Sequence, residues 1–238
     1  MIISFVSSKG GVGKTTSLLV LATELERVGR SKGRRVTIID ADRNAPLVAW
    51  ADMPGRPENI RVVGVPNTEN LVDAIDEEQV NCDVLLLDLP GLADVGLANA
   101  IMLSDLVLVP LGGGGLEAAE AAKTIKLVRR QSRLTGREIP YRALMTRAPA
   151  GAVEPLSYRR NREQLADQGV PMIKHALLSS PAFQELPDGG NLERMLEDAT
   201  DKRRRDQVTK AMDNAQAYYR DIIAALKELK NTKTEATE

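Results

Sequence analysis

The run Ser8-Lys9-Gly10-Gly11-Val12-Gly13-Lys14-Thr15-Thr16 concentrates residue types suited to polyphosphate. Glycines at 10, 11 and 13 let backbone N–H groups turn inward around an anion. Lys14 adds a point charge for the β- and γ-phosphates, and the Thr15 hydroxyl can ligate Mg²⁺. The ordinary G-x-x-x-x-G-K-[ST] pattern has glycine where Ser8 stands, and a second lysine, Lys9, follows. Another buried ammonium is costly unless paired, and Lys14 already serves the phosphates. The economical role for Lys9 is to reach a phosphate bound to another subunit.

Two further acidic positions extend this chemistry. The run Arg35 to Ile39 ends in Asp40-Ala41-Asp42, and Asp83 to Leu87 ends at Asp88-Leu89-Pro90-Gly91. Carboxylates at the C-terminal ends of parallel strands lie on the ligand side of the sheet. Asp88 can enter the second shell of Mg²⁺, and the Pro-Gly turn after it can sense a γ-phosphate. Asp40 and Asp42 can instead cap the next helix, but a phosphoryl-transfer site needs metal and water on the same edge, which favours chemistry.

The elements that must position these groups follow from periodicity. Ile2 to Val6 reads as a strand, and apolar residues at 18, 19, 21, 22, 25 and 28 read as a helix over 15–28, so the glycine run joins strand to helix. Further strands are expected over 60–65, 105–109, 139–145 and 170–178. Helices are expected over 68–78, 116–134, 154–168 and 201–230, with a turn at 187–190. With 238 residues, 43% hydrophobic and only 3% aromatic, the chain suits one α/β domain whose Val, Leu, Ile and Ala strands are covered by helices on both faces. The expected domain is 1–230, followed by a polar frayed tail over 231–238.

The run Lys9 to Thr16 resembles the deviant Walker A box of the ParA/MinD superfamily. The resemblance implies a P-loop ATPase using ATP and Mg²⁺, with Lys9 crossing an ATP-sandwiched homodimer. It implies that Asp42 positions the attacking water, that Thr15, Asp40 and Asp88 serve the metal, and that Lys9 and Lys14 act on the phosphates. The continuation Arg43-Asn44-Ala45-Pro46-Leu47-Val48-Ala49-Trp50 is similar to the virulence-C-type ATPases of T-DNA transfer. Trp50 itself reads as packing. Where the superfamily usually has Thr or Ser, this chain has Leu89, which removes a hydroxyl from the turn after Asp88.

By the same resemblance Thr146, Arg147 and Pro181 fall on the base side of the nucleotide. The segment Ser179-Ser180-Pro181 equally suits a helix start, with Ser180 as N-cap. Gly112 to Gly115 reads as a flexible strand-to-helix loop, because no Lys-Ser/Thr follows to make a second phosphate site. The lone His175 lacks a second ligand or base partner, so it reads as structural.

Formal net charge is −1, so nucleic-acid binding requires a local patch. Candidates are Arg129, Arg130 and Arg133 at the end of one helix, where cations also complement the dipole. Lys202, Arg203, Arg204 and Arg205 form the densest tract and suit either solvent or sequence-independent phosphate contact. The single Cys82 permits no internal disulfide. Without a leader pattern or a spanning apolar run, the expectation is a cytoplasmic protein, nucleoid-associated or polar if ParA-like, with no stable membrane insertion.

The reading is therefore an α/β P-loop ATPase with a mostly parallel sheet. It is expected to dimerise on ATP and bind DNA without strong sequence preference. It would position plasmid or transfer DNA, or a protein complex, and be reset by hydrolysis. The resemblance implies a ParB-like or relaxosome/secretion-type partner. The alternatives are a MinD-like ATPase acting on membrane or protein cargo, and a small-carboxylate ligase sharing the deviant loop.

Overall fold

The computed structural model describes residues 1–91, 95–151, 153–188 and 190–235. Its elements, in order, are β1 (Ile2–Phe5), α1 (Lys14–Gly29), β2 (Val36–Asp40), α2 (Pro46–Ala51), β3 (Ile60–Gly64), α3 (Leu71–Gln79), β4 (Val84–Asp88) and α4 (Val95–Leu103). Then come β5 (Leu106–Leu111), α5 (Glu117–Thr135), β6 (Tyr141–Met145), α6 (Leu156–Asp167), α7 (Pro181–Glu185), α8 (Leu192–Glu197) and α9 (Lys202–Glu235).

The strands form one parallel six-stranded sheet in the order β3-β2-β4-β1-β5-β6. The sheet is buried on both faces, as its continuous apolar strands require. Alternation divides each strand between two cores: Ile3, Phe5, Ile38 and Leu86 face α1, α2, α7, α8 and α9. Ile2, Val6, Leu85 and Leu87 face α3, α4, α5 and α6. Register places Asp40 directly beside Asp88, and Asp88 beside Phe5, where the glycine run leaves β1. Three parallel strands thus deliver their functional residues to one edge.

Several local expectations change. The segment 170–178 is not a continuous strand: isolated parallel bridges, Ala143 with Met172 and Ala148 with Leu178, lay it along the outer edge of β6. Between them the backbone bulges, and Asp221 of α9 accepts from the His175 amide at 2.6 Å and pairs with its ring at 2.9 Å. Helix α9 runs past position 230 to Glu235, and residues 236–238 of the expected tail lie outside the described residues. Gly189 of the expected turn also lies outside them. The apolar stripe of α9 faces inward, with Ile222, Ala225 and Leu226 buried against the α1 side of the core. Among the described residues, no helix is long and apolar enough to cross a membrane.

In the run Gly112 to Gly115 the first three residues are held by neighbours, while Gly115 is exposed with open space around it. Asn161 donates to the carbonyls of Gly112 and Gly114 at 3.1 Å each, and Glu117 accepts the Gly112 N–H. A Cβ at Gly113 would fall 1.9 Å from the Tyr158 ring, so the ring's seat requires glycine there.

Candidate nucleotide site

A cleft of about 450 Å³ opens at the C-terminal edge of the sheet. Lys9, Gly10, Gly11, Gly13, Lys14, Thr15 and Thr16 line its floor, and Asp42 lines one wall. Thr146, Arg147 and the segment Leu177 to Ser180 line the other, with Phe183 and Gln184 of α7. The loop has the shape its glycines permit: Gly11 and Gly13 adopt φ of 75° and 89°, a region L side chains disfavour. Gly13 is the N-cap of α1, so the positive end of that helix faces the cleft.

Lys14 is ion-paired to Asp88, which is fully buried, and the Thr15 hydroxyl donates to the other Asp88 oxygen at 2.8 Å. One carboxylate therefore holds the two side chains suited to phosphate and metal. Thr15 and Asp88 form a hard-oxygen set that fits Mg²⁺, an ion that keeps several waters and takes its remaining ligands from phosphates.

Asp40 and Asp42 separate in role. Asp40 is completely buried, and its oxygens accept the amides of Asp42 at 3.1 Å, Leu47 at 2.7 Å and Val48 at 3.3 Å. Burial pushes its carboxyl above the usual range, against the pull of the Leu47 and Asp42 amides. The capping role is thus the one Asp40 performs: it bends the chain into α2 through Ala45, whose φ is 45°. Asp42 is left facing the cleft, with Oδ1 accepting the Asn44 amide at 2.9 Å. Leu89 packs into the core with Val6 and Ala41.

The end of β6 grips the phosphate loop. The buried Thr146 hydroxyl lies 2.5 Å from the Val12 carbonyl and 3.1 Å from that of Leu111, and Arg147 donates to the Gly11 carbonyl. Arg147 has φ of 55°, and the Tyr158 hydroxyl donates to its carbonyl at 2.6 Å. The Thr146 hydroxyl is consequently engaged with backbone rather than open to a base. Pro181 does not line the cleft; it starts α7, exposed, while Ser179, Ser180 and Phe183 supply the wall.

Glu117, Glu120, Tyr158 and Asn161 support the cleft from outside any motif of the sequence. Glu117 lies 3.5 Å from Lys9, and Glu120 accepts the Ser8 hydroxyl at 2.9 Å. The available signal was two acids, one turn apart, straight after a glycine run.

The basic candidates do not form one surface within the chain. Helix α5 ends beside the start of β5, where Arg137 donates to the carbonyls of Met102 and Ser104, at the edge away from the cleft. Helix α9 begins beside the end of α7, through an Arg204–Glu185 ion pair, and packs on the other face of the sheet. Arg129 is engaged with the Tyr141 hydroxyl at 2.8 Å and lies over that ring at 5.5 Å. Arg205 donates to the Ala199 carbonyl at 3.1 Å. Arg130, Arg133, Lys202 and Arg203 are exposed.

Residues 1–230 match the family model described as VirC1 protein. The chain is 31% identical over 228 residues to Protein ParA of Rhizobium radiobacter, covering 95% of this chain and 98% of that one. It is 30% identical over 196 residues to Protein virC1 of Rhizobium rhizogenes, covering 80% and 82%. The cell division ATPase MinD of Pyrococcus furiosus superposes with a TM-score of 0.65 at 18% identity, over 91% of this chain and 98% of that one. At that identity the likeness speaks to the fold.

Proposed function

The chain belongs to the VirC1 protein family, within the ParA/MinD superfamily, and from that premise we propose that it is a Mg²⁺-dependent ATPase that dimerises on ATP. In this reading the dimer binds DNA without strong sequence preference, positions plasmid or transfer DNA or a protein complex, and is reset by hydrolysis. The observation that supports it best is the cleft that gathers Lys9, Lys14 and Thr15 from after β1 with Asp42 from after β2.

The amides of residues 10–15 cradle the polyphosphate, and Lys14 exchanges its Asp88 partner for phosphate oxygens. When bound, Mg²⁺ supplies neutralisation of charge across the β- and γ-phosphates. The Thr15 hydroxyl would hold that ion, with Asp88 accepting from its water shell. Asp42 orients the attacking water. Asp40 acts on the chemistry by fixing the backbone that carries Asp42. Lys9, half exposed at the cleft mouth, reaches the phosphate of a second copy and adds charge where the transition state develops it. Arg147 and the Ser179–Phe183 wall bound the space left for the base.

Partners implied are a second copy, non-specific DNA, and a ParB-like or relaxosome/secretion-type protein.

Light scattering with Mg²⁺ and a non-hydrolysable ATP analogue tests the switch. Wild type should double in mass with the analogue and not with ADP, and Lys14→Ala should remain monomeric. A mass indifferent to nucleotide overturns the reading.

A further inference from the structure

We infer that Glu117 is a positioning residue for Lys9: it retains that lysine within its own subunit in the absence of nucleotide and yields it when a second copy closes on ATP. This rests on the dimer reading above. The Lys9 side chain is 49% exposed and that of Glu117 only 13%, with Nζ 3.5 Å from Oε1. The other oxygen of Glu117 accepts the Gly112 N–H. A Cβ on Gly112 would lie 2.5 Å from Oε2, and one on Gly114 would lie 3.0 Å from Oε1, so glycines let this carboxylate lie across the run. One residue earlier, the Ser8 hydroxyl donates to Glu120. The first two residues of the phosphate loop are thus docked on the first turn of α5.

Acids in a helix's first turn complement its dipole without any lysine. What singles out Glu117 is the division of its oxygens, one on the glycine run and one toward Lys9. An ion pair with an exposed partner is weak, so the hold is reversible. Glu117 does not itself line the cleft but pairs with Lys9, which does, so the carboxylate left behind when Lys9 leaves is near enough to oppose the charge of a polyphosphate bound there. Retention of Lys9 and resistance to premature closure are therefore the same charge.

Glu117→Gln keeps an acceptor for the Gly112 N–H and removes the charge. Glu120→Gln, in the same turn but bonded to Ser8 and Lys123, controls for general electrostatics. Two readouts are taken: half-dimerisation concentration with Mg²⁺ and the non-hydrolysable analogue, and the Lys9 resonance in nucleotide-free, reductively ¹³C-methylated protein. Glu117→Gln should lower the half-dimerisation concentration about fivefold and move the Lys9 resonance, and Glu120→Gln, whose charge also reaches Lys9 but makes no ion pair with it, should do each to a clearly smaller extent. An unmoved resonance in Glu117→Gln overturns the hold, as does an equal shift of dimerisation in both variants. Absence of a wild-type dimer overturns the reading beneath it, and with it the release, even where the resonance moves.

Discussion

Asp40 and Asp42 stand two residues apart and meet different surroundings: both oxygens of Asp40 accept backbone amides, whereas Asp42 lines the cleft with only Oδ1 engaged. Asp42→Ala should leave nucleotide affinity nearly unchanged and lower ATP turnover about 10²-fold or more, the scale of losing a positioned base or water-orienting group. Equal loss of affinity and turnover would place Asp42 in binding instead. Asp40→Ala should strand three backbone amides at a cost of about 1–3 kcal/mol. That cost is measurable by urea unfolding followed through Trp50, the one tryptophan, buried in α2. The sequence signal for these residues was strong at the level of position, since a carboxylate at a strand's C-terminal end must lie on the ligand edge. The resemblance assigned Asp42 to water and Asp40 to the metal, but Asp40's hold on three amides was not legible, because it depends on which amides the α2 turn brings back onto it. The hydroxyl of Thr146 was likewise placed correctly beside the cleft, but its engagement with Val12 arises from contact between distant loops.

Among the elements, the glycine run after β5 carries the sharpest test. Gly113→Ala forces a Cβ into the Tyr158 ring and should destabilise by about 1–3 kcal/mol, with Tyr158→Ala in the same chain recovering part of it. A neutral Gly113→Ala would mean the ring is not seated there. Helix α1 offers a pH test through Glu26. Burial alone would raise its carboxyl, but hydrogen bonds from Arg30 and Asn59 outweigh it and hold the carboxyl below its ordinary value of 4.5. The stability it contributes is therefore present above pH 4.5 and lost as pH falls through the lowered folded value. Acid titration of unfolding should show a shallower acid limb in Glu26→Gln. The main strands and long helices were readable because strands buried on both faces are continuous apolar runs and long helices repeat every three to four residues. Short α2, α4 and α8 were not read: α2 and α8 have six residues each, too few to show a helical period, and α4 is apolar but for Asn99 and so has no polar face to mark one. The segment beside β6 failed as a strand because its bulge at Lys174 and His175 interrupts the pairing that its apolar residues suggest.

At the scale of the whole molecule, the two basic tracts belong to helices on opposite faces of the sheet, so they do not form one continuous patch on a single chain. The tract over 202–205 begins α9 beside the end of α7, whose Phe183 and Gln184 line the cleft, so of the two tracts it is the one tied to an element of the nucleotide site. Paired Lys202→Ala and Arg203→Ala should then weaken ATP-dependent DNA binding and flatten its salt dependence by roughly one unit of slope for each phosphate no longer neutralised. Arg130→Ala with Arg133→Ala should leave that nucleotide dependence intact. The most direct test of the account is binding to random-sequence duplex DNA with ADP or a non-hydrolysable ATP analogue, at two salt concentrations, for wild type and Lys9→Ala. The account predicts salt-sensitive binding that requires the ATP analogue and disappears in Lys9→Ala; binding indifferent to nucleotide, or undiminished in that variant, would contradict it.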